Sequence, residues 1–339
     1  MIVVFGAAGF IGTYFIDQLV NDGFEVLAVD KCKIGEDYYS DKGVPFINCD
    51  ITVDKDINKL PQKKIEAVVN LACMQPANMR EGAYKSADFF KVNVIGTLNV
   101  LEYCKKNGIP KIIYMCSHRN TQGLWLNTER PISENDGISI KYTGEYSMFS
   151  ISETSASDSV LHYSQQFGLQ GIILRIPPVY GYGPHTEIFK EGKPIATGLK
   201  IFIEKAIAGT PLEVWGNPQN GRDIIYVKDV VSAMILAIGN NIAKGIYNIS
   251  SGKILTLEEQ ARIVAKIFTP DDIVPEIKYV PEKDNSIESY VYDISKAKRE
   301  LNWAPQYSFE QMIVDYKKEM ELGRFEFLVE KRRQMLEKP

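Results

Sequence analysis

The sequence lacks the features that mark membrane proteins, secreted proteins and nucleic-acid-binding proteins. No apolar run in its 339 residues approaches the ~18 residues needed to cross a bilayer. The first strand pattern starts at residue 1, so we expect no signal peptide. The net charge is -4, from 39 basic and 43 acidic residues, and no basic arm or stripe stands out. We therefore expect a cytoplasmic protein with no membrane or nucleic-acid partner.

Cysteine and histidine are also scarce. The five cysteines are an odd number without metal-ligand spacing, so we expect reduced, structural cysteines and no metal site. Only three histidines are present. Hydrophobic residues make up 45% of the chain and charged residues 24%, which is ordinary for a globular protein of one large or two modest domains.

What the sequence does have is a glycine-rich opening. Apolar residues 1–5 lead directly into Gly6, Gly9 and Gly12, and a helical pattern follows at once. This order predicts a buried parallel strand, a tight turn and a helix N-terminus. The first amides and the dipole of such a helix attract a phosphate. An ordinary strand-turn-helix is the alternative, because a glycine triplet alone is weak evidence.

An acid at the end of the second strand pattern strengthens the nucleotide interpretation. Asp30 follows Gly12 by eighteen residues, where the ribose hydroxyls of an adenine dinucleotide would be bound. A carboxylate there accepts both hydroxyls and repels a 2′-phosphate. NAD is therefore favoured over NADP, although Lys31 and Lys33 leave NADP open.

Strand and helix patterns alternate through the first two-thirds of the chain. This alternation predicts an α/β protein with a doubly wound parallel sheet of the Rossmann type. Further motifs follow in order: Asp50-Ile51, NVIGTLN at 93–99, PVYGYG at 178–183, GRDIIYVKD at 221–229, YNISSG at 247–252 and a segment from Tyr292 to Trp303.

With these motifs, residues 1 to about 320 resemble the extended short-chain dehydrogenases/reductases of the NAD-dependent epimerase/dehydratase type. That group contains UDP-galactose 4-epimerase and nucleotide-sugar 4,6-dehydratases. The resemblance implies an NAD-binding Rossmann domain of residues 1–176 plus 224–244. It also implies a smaller α/β substrate domain of residues 177–223 plus 245–320, with 321–339 as a C-terminal extension.

The resemblance also implies which residues meet the cofactor. The expected NAD contacts lie in the glycine turn and in the loops after the strands: Gly6, Gly9, Phe10, Ile11, Gly12, Asp30, Lys31, Asp50, Ile51, Leu71, Ala72, Cys73, Asn93, Cys116, Glu153 and Pro178.

Family members carry a Tyr-x-x-x-Lys pair at the start of a helix. The phenolate is the acid/base, and the lysine holds the nicotinamide ribose and lowers the tyrosine pKa. Counting back from the landmarks YSQQFGL at 163–169 and Leu174-Arg175 puts Phe149 at the tyrosine position and Glu153 at the lysine position. Ser152 matches a serine that is frequent in the family. The usual acid/base pair is therefore missing.

Four other side chains are candidates for acid/base work. His118 falls at the family's usual Ser/Thr position, with Ser117 just before it. Imidazole titrates near neutrality, but a hydrogen-bonded loop histidine without chemistry is an open alternative. A register error could restore Tyr146 or Tyr142, and neither has a lysine four residues on. The candidates are thus His118, Ser117, Tyr146 and Glu153.

Glu153 would replace a cation beside the cofactor by an anion. Two unit charges ~6 Å apart at an effective dielectric constant of ~20 interact by roughly 3 kcal/mol. Because NAD⁺ carries a positive nicotinamide ring and NADH a neutral one, we hypothesise that Glu153 biases the site toward NAD⁺. The alternative is that Glu153 points to solvent or pairs with an arginine.

At the substrate end, Arg222 matches the arginine that grips the nucleotide diphosphate in relatives. An interdomain salt bridge is its alternative. Lys283 falls where relatives often have a second phosphate-binding arginine, although a solvated surface lysine is equally consistent. Gln75 and Arg80 are placed as sugar contacts by position alone, and Pro178 replaces an asparagine that many epimerases use.

Two functions remain open. The first is an NAD-dependent enzyme acting on a nucleotide sugar by hydride transfer, usually at C4, with an altered acid/base site. The second is a lapsed enzyme that binds NAD or a nucleotide sugar in a regulatory or partner role. In either case the resemblance implies a homodimer through helices near 87–104 and 149–167, whose apolar residues fit a core equally well.

Overall fold

The computed structural model describes residues 1–78, 85–125, 130–184, 188–190, 193–285 and 287–337. Its strands are β1 (Ile2–Phe5), β2 (Val26–Asp30), β3 (Phe46–Asn48), β4 (Ala67–Asn70), β5 (Lys111–Ser117), β6 (Gln170–Ile176), β7 (Val179–Tyr180), β8 (Ile188–Lys190), β9 (Lys193–Ile195), β10 (Leu212–Trp215), β11 (Gly221–Arg222), β12 (Ile225–Tyr226), β13 (Gly245–Asn248), β14 (Leu255–Thr256) and β15 (Ile277–Val280).

The α-helices are α1 (Phe10–Asn21), α2 (Ile34–Ser40), α3 (Asp54–Ile57), α4 (Ser86–Phe89), α5 (Thr97–Lys106), α6 (Ser147–Phe167), α7 (Gly198–Ile207), α8 (Val227–Gly239), α9 (Leu257–Phe268), α10 (Ser295–Glu300), α11 (Phe309–Glu321) and α12 (Glu326–Glu337). A π-helical segment at Phe90–Gly96 joins α4 to α5.

Seven parallel strands form one sheet in the order β13-β6-β5-β4-β1-β2-β3. Alternate residues of β1 enter two different cores: Ile2 and Val4 face one side, and Val3 and Phe5 face the other. Because helices cover both faces, the inner strands read as unbroken apolar runs. The prediction of a doubly wound parallel sheet is confirmed.

One boundary of the domain prediction is wrong. β13 pairs in parallel with β6, with Gly245 opposite Ile172 and Asn248 opposite Arg175. Residues 245–248 therefore belong to the large sheet, and the second segment of the smaller domain starts after them. The reason is hydrogen bonding, because the edge of β6 would otherwise leave its backbone groups unpaired. The rest of the domain division stays a prediction.

The C-terminal segment packs on the body of the protein. Phe325 and Leu328 are fully buried, and the Phe325 ring lies 5.3 Å from that of Tyr14 on α1. The Arg324 guanidinium bonds Asp17 at 2.9 Å and Glu319 at 2.8 Å. Arg324 and Phe325, just before α12, thereby pack against the first helix of the nucleotide-binding half, while α12 itself contacts α2.

The two helices expected at a dimer interface pack on each other. Their buried apolar residues, such as Val100 on α5 and Val160 on α6, lie in the same core cluster, while Phe167 is 43% exposed. The homodimer stays a prediction.

Two features are absent from the described residues. No helix there is both long and apolar enough to span a membrane. No group of three or more His, Cys, Asp or Glu side chains in the same part of the chain is arranged to hold a metal ion.

Candidate active site

The turn after β1 and the helix start that follows it have no room for a side chain at Gly6 or Gly12. Gly6 has a φ of 76°, and a Cβ there would lie 2.7 Å from the Leu71 carbonyl carbon. A Cβ on Gly12 would lie 2.4 Å from the Gly6 carbonyl oxygen. Gly9 is the N-cap of α1 in an extended conformation and provides no side-chain cap. The opening amides of α1, including Phe10 and Ile11, therefore suit a phosphate as their acceptor.

Asp30 lies beside this turn, and each of its carboxylate oxygens accepts a hydrogen bond from a backbone amide. One accepts from the Ala8 amide at 2.9 Å, and the other accepts from the Cys32 amide at 2.8 Å. Each oxygen can accept more than one hydrogen bond, so the carboxylate can also receive ribose hydroxyls. Lys31 is exposed, and its carbonyl accepts from Asn48. The residues present thus fit an adenine dinucleotide, as the sequence predicts.

The next predicted cofactor residues line the same edge of the sheet. The backbones of Leu71 and Ala72 lie against Gly6, as the collision of a Cβ there with both residues indicates. Asp50 accepts from the backbone and hydroxyl of Thr52. Ile51 is buried, and its side chain fills the space beside a glycine of the π-helical segment. These arrangements are compatible with the predicted contacts, which stay predictions.

Asn93 organises the loop that follows β4. Its carboxamide accepts from the Met74 amide at 2.7 Å and donates to the Met74 carbonyl at 3.0 Å. It also donates to the Ser152 hydroxyl at 2.9 Å. The π-helical turn that carries Asn93 is a type of irregularity often found at functional sites. Through these bonds Asn93 ties the loop to α6.

Glu153 is the buried carboxyl at the centre of this edge. Its side chain is 2% exposed and accepts from the Tyr114 hydroxyl at 3.1 Å and the Cys73 thiol at 3.5 Å. Burial raises the pKa of Glu153 to about 7, although hydrogen bonds from Cys73, Tyr114 and the Ser117 backbone oppose that shift. The alternative that Glu153 points to solvent is wrong. No ion pair joins it to an arginine among the described residues.

Phe149 lies one turn before Glu153 and is 3% exposed. Tyr146, at the N-terminus of α6, has its ring 6.2 Å from that of Phe149. The Arg119 guanidinium lies 3.5 Å from the Tyr146 ring centroid. Burial raises the pKa of Tyr146, and the charge of Arg119 opposes the shift. Tyr142, the other tyrosine considered, is 76% exposed.

His118 is held in an aromatic cluster. Its Nδ1 lies 3.1 Å from the Ile176 carbonyl oxygen, and because a carbonyl only accepts, Nδ1 carries the proton. The ring stacks on Trp125 at 5.2 Å and lies 5.5 Å from Tyr290. Burial, followed by the charge of Arg119, lowers the pKa of His118 well below its usual value. His118 is therefore neutral, and its catalytic role stays a prediction.

Three more predicted site residues, on or just after β5 and β6, have structural partners. The Ser117 hydroxyl accepts from the Arg119 amide at 3.2 Å. Cys116 is buried and accepts from Asn120 at 3.4 Å. The Pro178 carbonyl accepts from the Ile225 amide at 3.1 Å. Their predicted parts in catalysis and cofactor binding stay untested.

A cavity of about 480 Å³ is lined in part by Trp125, which stacks on His118, and by Arg119, which lies against the Tyr146 ring. Arg119, Arg222, Trp125 and Glu288 are among its lining residues. No ion pair joins Arg222 to a carboxylate in the part of the chain that the structure describes, so the interdomain salt bridge is not found there. A cavity with two guanidiniums suits a ligand that carries more than one negative charge.

Two of the remaining substrate candidates, Lys283 and Gln75, are not among the residues that line this cavity. Lys283 pairs with Glu213 at 3.1 Å and lies over the Trp215 ring at 4.4 Å. Gln75 is half-buried in the loop after β4. Arg80 lies outside the described residues. The phosphate and sugar contacts proposed for these three side chains stay predictions.

Sequence reasoning missed Arg119, Trp125 and Glu288. Arg119 directly follows His118 at the carboxyl end of a central strand, where ligands of such sheets bind, and that position was the available signal. Trp125 and Glu288 reach the cavity from loops with no motif, so the sequence gives no comparable signal for them.

The chain is similar to a family of known proteins along most of its length. The model of the NAD dependent epimerase/dehydratase family matches residues 2–250. A putative UDP-glucose 4-epimerase of Methanocaldococcus jannaschii is 28% identical over 314 residues, covering 92% of this chain and 96% of the relative.

Two solved structures are also similar. UDP-glucose 4-epimerase of Thermotoga maritima with UDP-glucose is 26% identical with a TM-score of 0.77, covering 94% of this chain and 99% of that one. The Thermus thermophilus UDP-glucose 4-epimerase in complex with NAD is 25% identical with a TM-score of 0.74, covering 94% of this chain and 98% of that one.

Proposed function

Because the chain belongs to the NAD-dependent epimerase/dehydratase family and NAD is its cofactor, we propose that it oxidises or epimerises the sugar of a nucleotide sugar. Hydride transfer at a sugar carbon, C4 in the first instance, is the proposed chemistry. Similar proteins are UDP-glucose 4-epimerases, and one was solved with UDP-glucose. The acid/base site is proposed to be non-standard.

The observation that carries this proposal is a row of contacts along one edge of the sheet. Gly6 touches the loop after β4, Cys73 of that loop bonds Glu153, and the Ser117 backbone bonds the same carboxyl. Arg119, two residues after Ser117 in the chain, is one of the residues that line the cavity. A dinucleotide in the turn and a sugar in the cavity would therefore meet near Glu153.

NAD bound there supplies the acceptor for hydride. For the proton, Tyr146 is the best-supported group, because it is half-buried and the Arg119 cation lies against its ring. Burial raises the pKa of Tyr146 and the Arg119 cation opposes that rise, which is the part that a lysine plays in relatives. His118 is the second candidate, but its lowered pKa makes it a weak base.

A catalytically lapsed binding protein is the second candidate function. Phe149 favours it, because the residue at the usual acid/base position is buried and has no proton to exchange. The cradle around Gly12 and Asp30 serves either function.

The test has two stages. The supernatant of heat-denatured protein is analysed for co-purified NAD, and the protein is then incubated with NAD⁺ and candidate nucleotide sugars. NADH absorbance and chromatographic and mass analysis of the sugar report turnover. Turnover that is lost in Tyr146→Phe and kept in Tyr142→Phe supports the enzyme. Bound NAD and nucleotide sugar without turnover supports the lapsed protein. Turnover unchanged in Tyr146→Phe, His118→Ala and Glu153→Gln would refute the proposed site.

A further inference from the structure

The residues between α11 and α12 contact both halves of the candidate site. The Phe325 ring lies 5.3 Å from the ring of Tyr14 on α1 and 6.0 Å from the ring of Tyr182, which follows β7. We infer that Tyr14 and Phe325 are positioning residues that hold the 180–183 loop against the start of α1 and thereby couple NAD binding to nucleotide-sugar binding. This inference rests on the proposed function, which places NAD at the start of α1 and the nucleotide sugar in the cavity.

One end of the 180–183 loop lies on the NAD side. A Cβ on Gly183 would lie 2.4 Å from Cδ2 of Phe10, and a Cβ on Gly181 would lie 3.1 Å from Cζ of the same ring. Phe10 is the first residue of α1, and its backbone amide is among those that suit a phosphate. Because no gap separates the ring from the loop, a shift of the loop displaces Phe10.

The other end of the loop belongs to the substrate side. β7 pairs in parallel with β12, with Tyr180 opposite Tyr226. Tyr180 interacts with the guanidinium of Arg222, which lines the cavity. Four consecutive residues therefore connect the cation expected at the diphosphate with the first residue of the NAD-binding helix.

Tyr14 attaches the loop to α1 by a hydrogen bond. Its hydroxyl donates to the Tyr182 carbonyl oxygen at 2.6 Å, and its ring packs edge-on against Phe10 at 5.7 Å. Burial, followed by the charge of Glu319, raises the pKa of Tyr14, so the hydroxyl keeps its proton and remains a donor. Because the two glycines leave the backbone of the loop permissive, contacts from outside the loop determine its position.

Phe325 completes this contact from the C-terminal side. Its side chain is fully buried, whereas Phe327 of the same segment is 42% exposed. The Arg324 guanidinium lies 4.2 Å from the centroid of the Tyr14 ring and pairs with Asp17 on the same helix. These contacts hold the Tyr14 ring in the orientation from which its hydroxyl reaches the loop.

Two ligands that hold opposite ends of one loop favour the same arrangement of that loop. NAD would hold the loop through Phe10, and a diphosphate would hold it through Arg222 and Tyr180. By thermodynamic linkage, each ligand should then raise the affinity of the other by the same factor. Without the bond from Tyr14, one end of the loop can shift without the other, and the two affinities should become nearly independent.

The experiment measures this coupling factor with NAD⁺ and UDP as probes. The factor is the ratio of the dissociation constants of UDP from NAD-free and from NAD⁺-saturated protein, obtained by calorimetric titration. It should be at least about fivefold in the wild-type protein. Titration of NAD⁺ with and without saturating UDP should return the same value.

Two variants test the positioning residues separately. Tyr14→Phe keeps the ring and loses the hydroxyl. Because one hydrogen bond contributes about two- to tenfold to an equilibrium constant, the coupling factor should fall below about twofold in this variant. Phe325→Leu keeps a buried apolar side chain and loses the ring, and it should lower the factor as well. Thermal melting of each variant verifies that it is folded.

Tyr38→Phe and Phe327→Leu are the matched controls. The Tyr38 hydroxyl also reaches α1, 3.4 Å from a carboxylate oxygen of Asp17, but it bonds no residue of the 180–183 loop among the described contacts. The coupling factor should be unchanged in both controls. A wild-type factor near one, a factor that survives both Tyr14→Phe and Phe325→Leu, or an equal loss in the controls would overturn the inference and leave the proposed function intact. Failure to bind UDP or NAD⁺ at all would overturn the proposed function and this inference with it.

Discussion

Replacing Glu153 by glutamine keeps the shape of a buried side chain and removes its charge. Two unit charges ~6 Å apart interact by roughly 3 kcal/mol at an effective dielectric constant of ~20. That energy corresponds to about two pKa units, or about a hundredfold in affinity, and water in the site would reduce it. We therefore expect the wild-type protein to bind NAD⁺ more tightly than NADH by between about ten- and a hundredfold. Glu153→Gln should remove most of this ratio.

The pKa of Glu153 determines how the affinity for NAD⁺ should change with pH. In the free protein the pKa of Glu153 is about 7, and a positive nicotinamide ring nearby would lower it. At any pH at which Glu153 of the free protein is protonated, binding of NAD⁺ then releases that proton. The affinity for NAD⁺ should rise as the pH increases toward 7 and level off above it. NADH, whose ring is neutral, should show no such rise.

Calorimetric titrations with NAD⁺ and NADH between pH 5.5 and pH 8.5, in buffers of different ionisation enthalpy, measure both the affinities and the proton release. Asp158→Asn is the control, because it removes a carboxylate from the exposed face of the same helix. Equal affinity for NAD⁺ and NADH at every pH in the wild-type protein would refute the reasoning. So would a ratio that Glu153→Gln leaves unchanged.

Three further results are expected. Gly12→Ala puts a methyl carbon 2.4 Å from the Gly6 carbonyl oxygen, so NAD binding should be lost with about 1–3 kcal/mol of unfolding free energy; calorimetry showing intact NAD affinity would contradict this. Phe325→Ala removes a fully buried ring and should cost about 3–5 kcal/mol in urea unfolding, whereas Phe327→Ala, at a residue 42% exposed, should cost less than ~0.5 kcal/mol; similar costs would contradict the packing of the C-terminal segment. Because the folded pKa of Glu153 is raised from 4.5 to about 7, its stabilising contribution is complete below pH ~4.5 and is lost as the pH rises through 7. That loss is about 3 kcal/mol, and Glu153→Gln should remove it from the measured pH profile; an identical profile would count against the buried carboxyl.

The parts of the fold that follow local rules could be predicted from the sequence. The strand, glycine turn and helix at the start of the chain are contiguous, and the position of Asp30 is a matter of spacing. β13 could not be assigned in the same way. It is four residues long, and its place in the sheet depends on pairing with a strand 73 residues earlier, as between Arg175 and Asn248. Such pairing leaves no local pattern.

In the candidate site, too, the residues at local landmarks could be predicted, whereas their surroundings in the folded protein could not. Counting from landmarks predicts that Phe149 and Glu153 occupy the family's Tyr and Lys positions, and this assignment stays a prediction. The sequence could not show whether Glu153 faces solvent or the interior. Its burial beside Tyr114 on β5 and Cys73 in the loop after β4 depends on segments that meet only in the folded protein. The cavity position of Arg119 likewise depends on distant segments, including Arg222 and the loop at 284–288.

The contact between Asp17 and Arg324 spans 307 residues, and it has a consequence for how the chain is made. Synthesis proceeds from the N-terminus at ~5–20 residues per second, so ~15–60 s pass between the appearance of the first helix and that of its cover. During that interval the part of Tyr14 that Phe325 will bury stays exposed to solvent. A nascent chain can form the nucleotide turn early, but it closes the first helix only when residues 324–328 have left the ribosome. The nucleotide-binding half therefore reaches its final packing only after residues 324–328 have been synthesised.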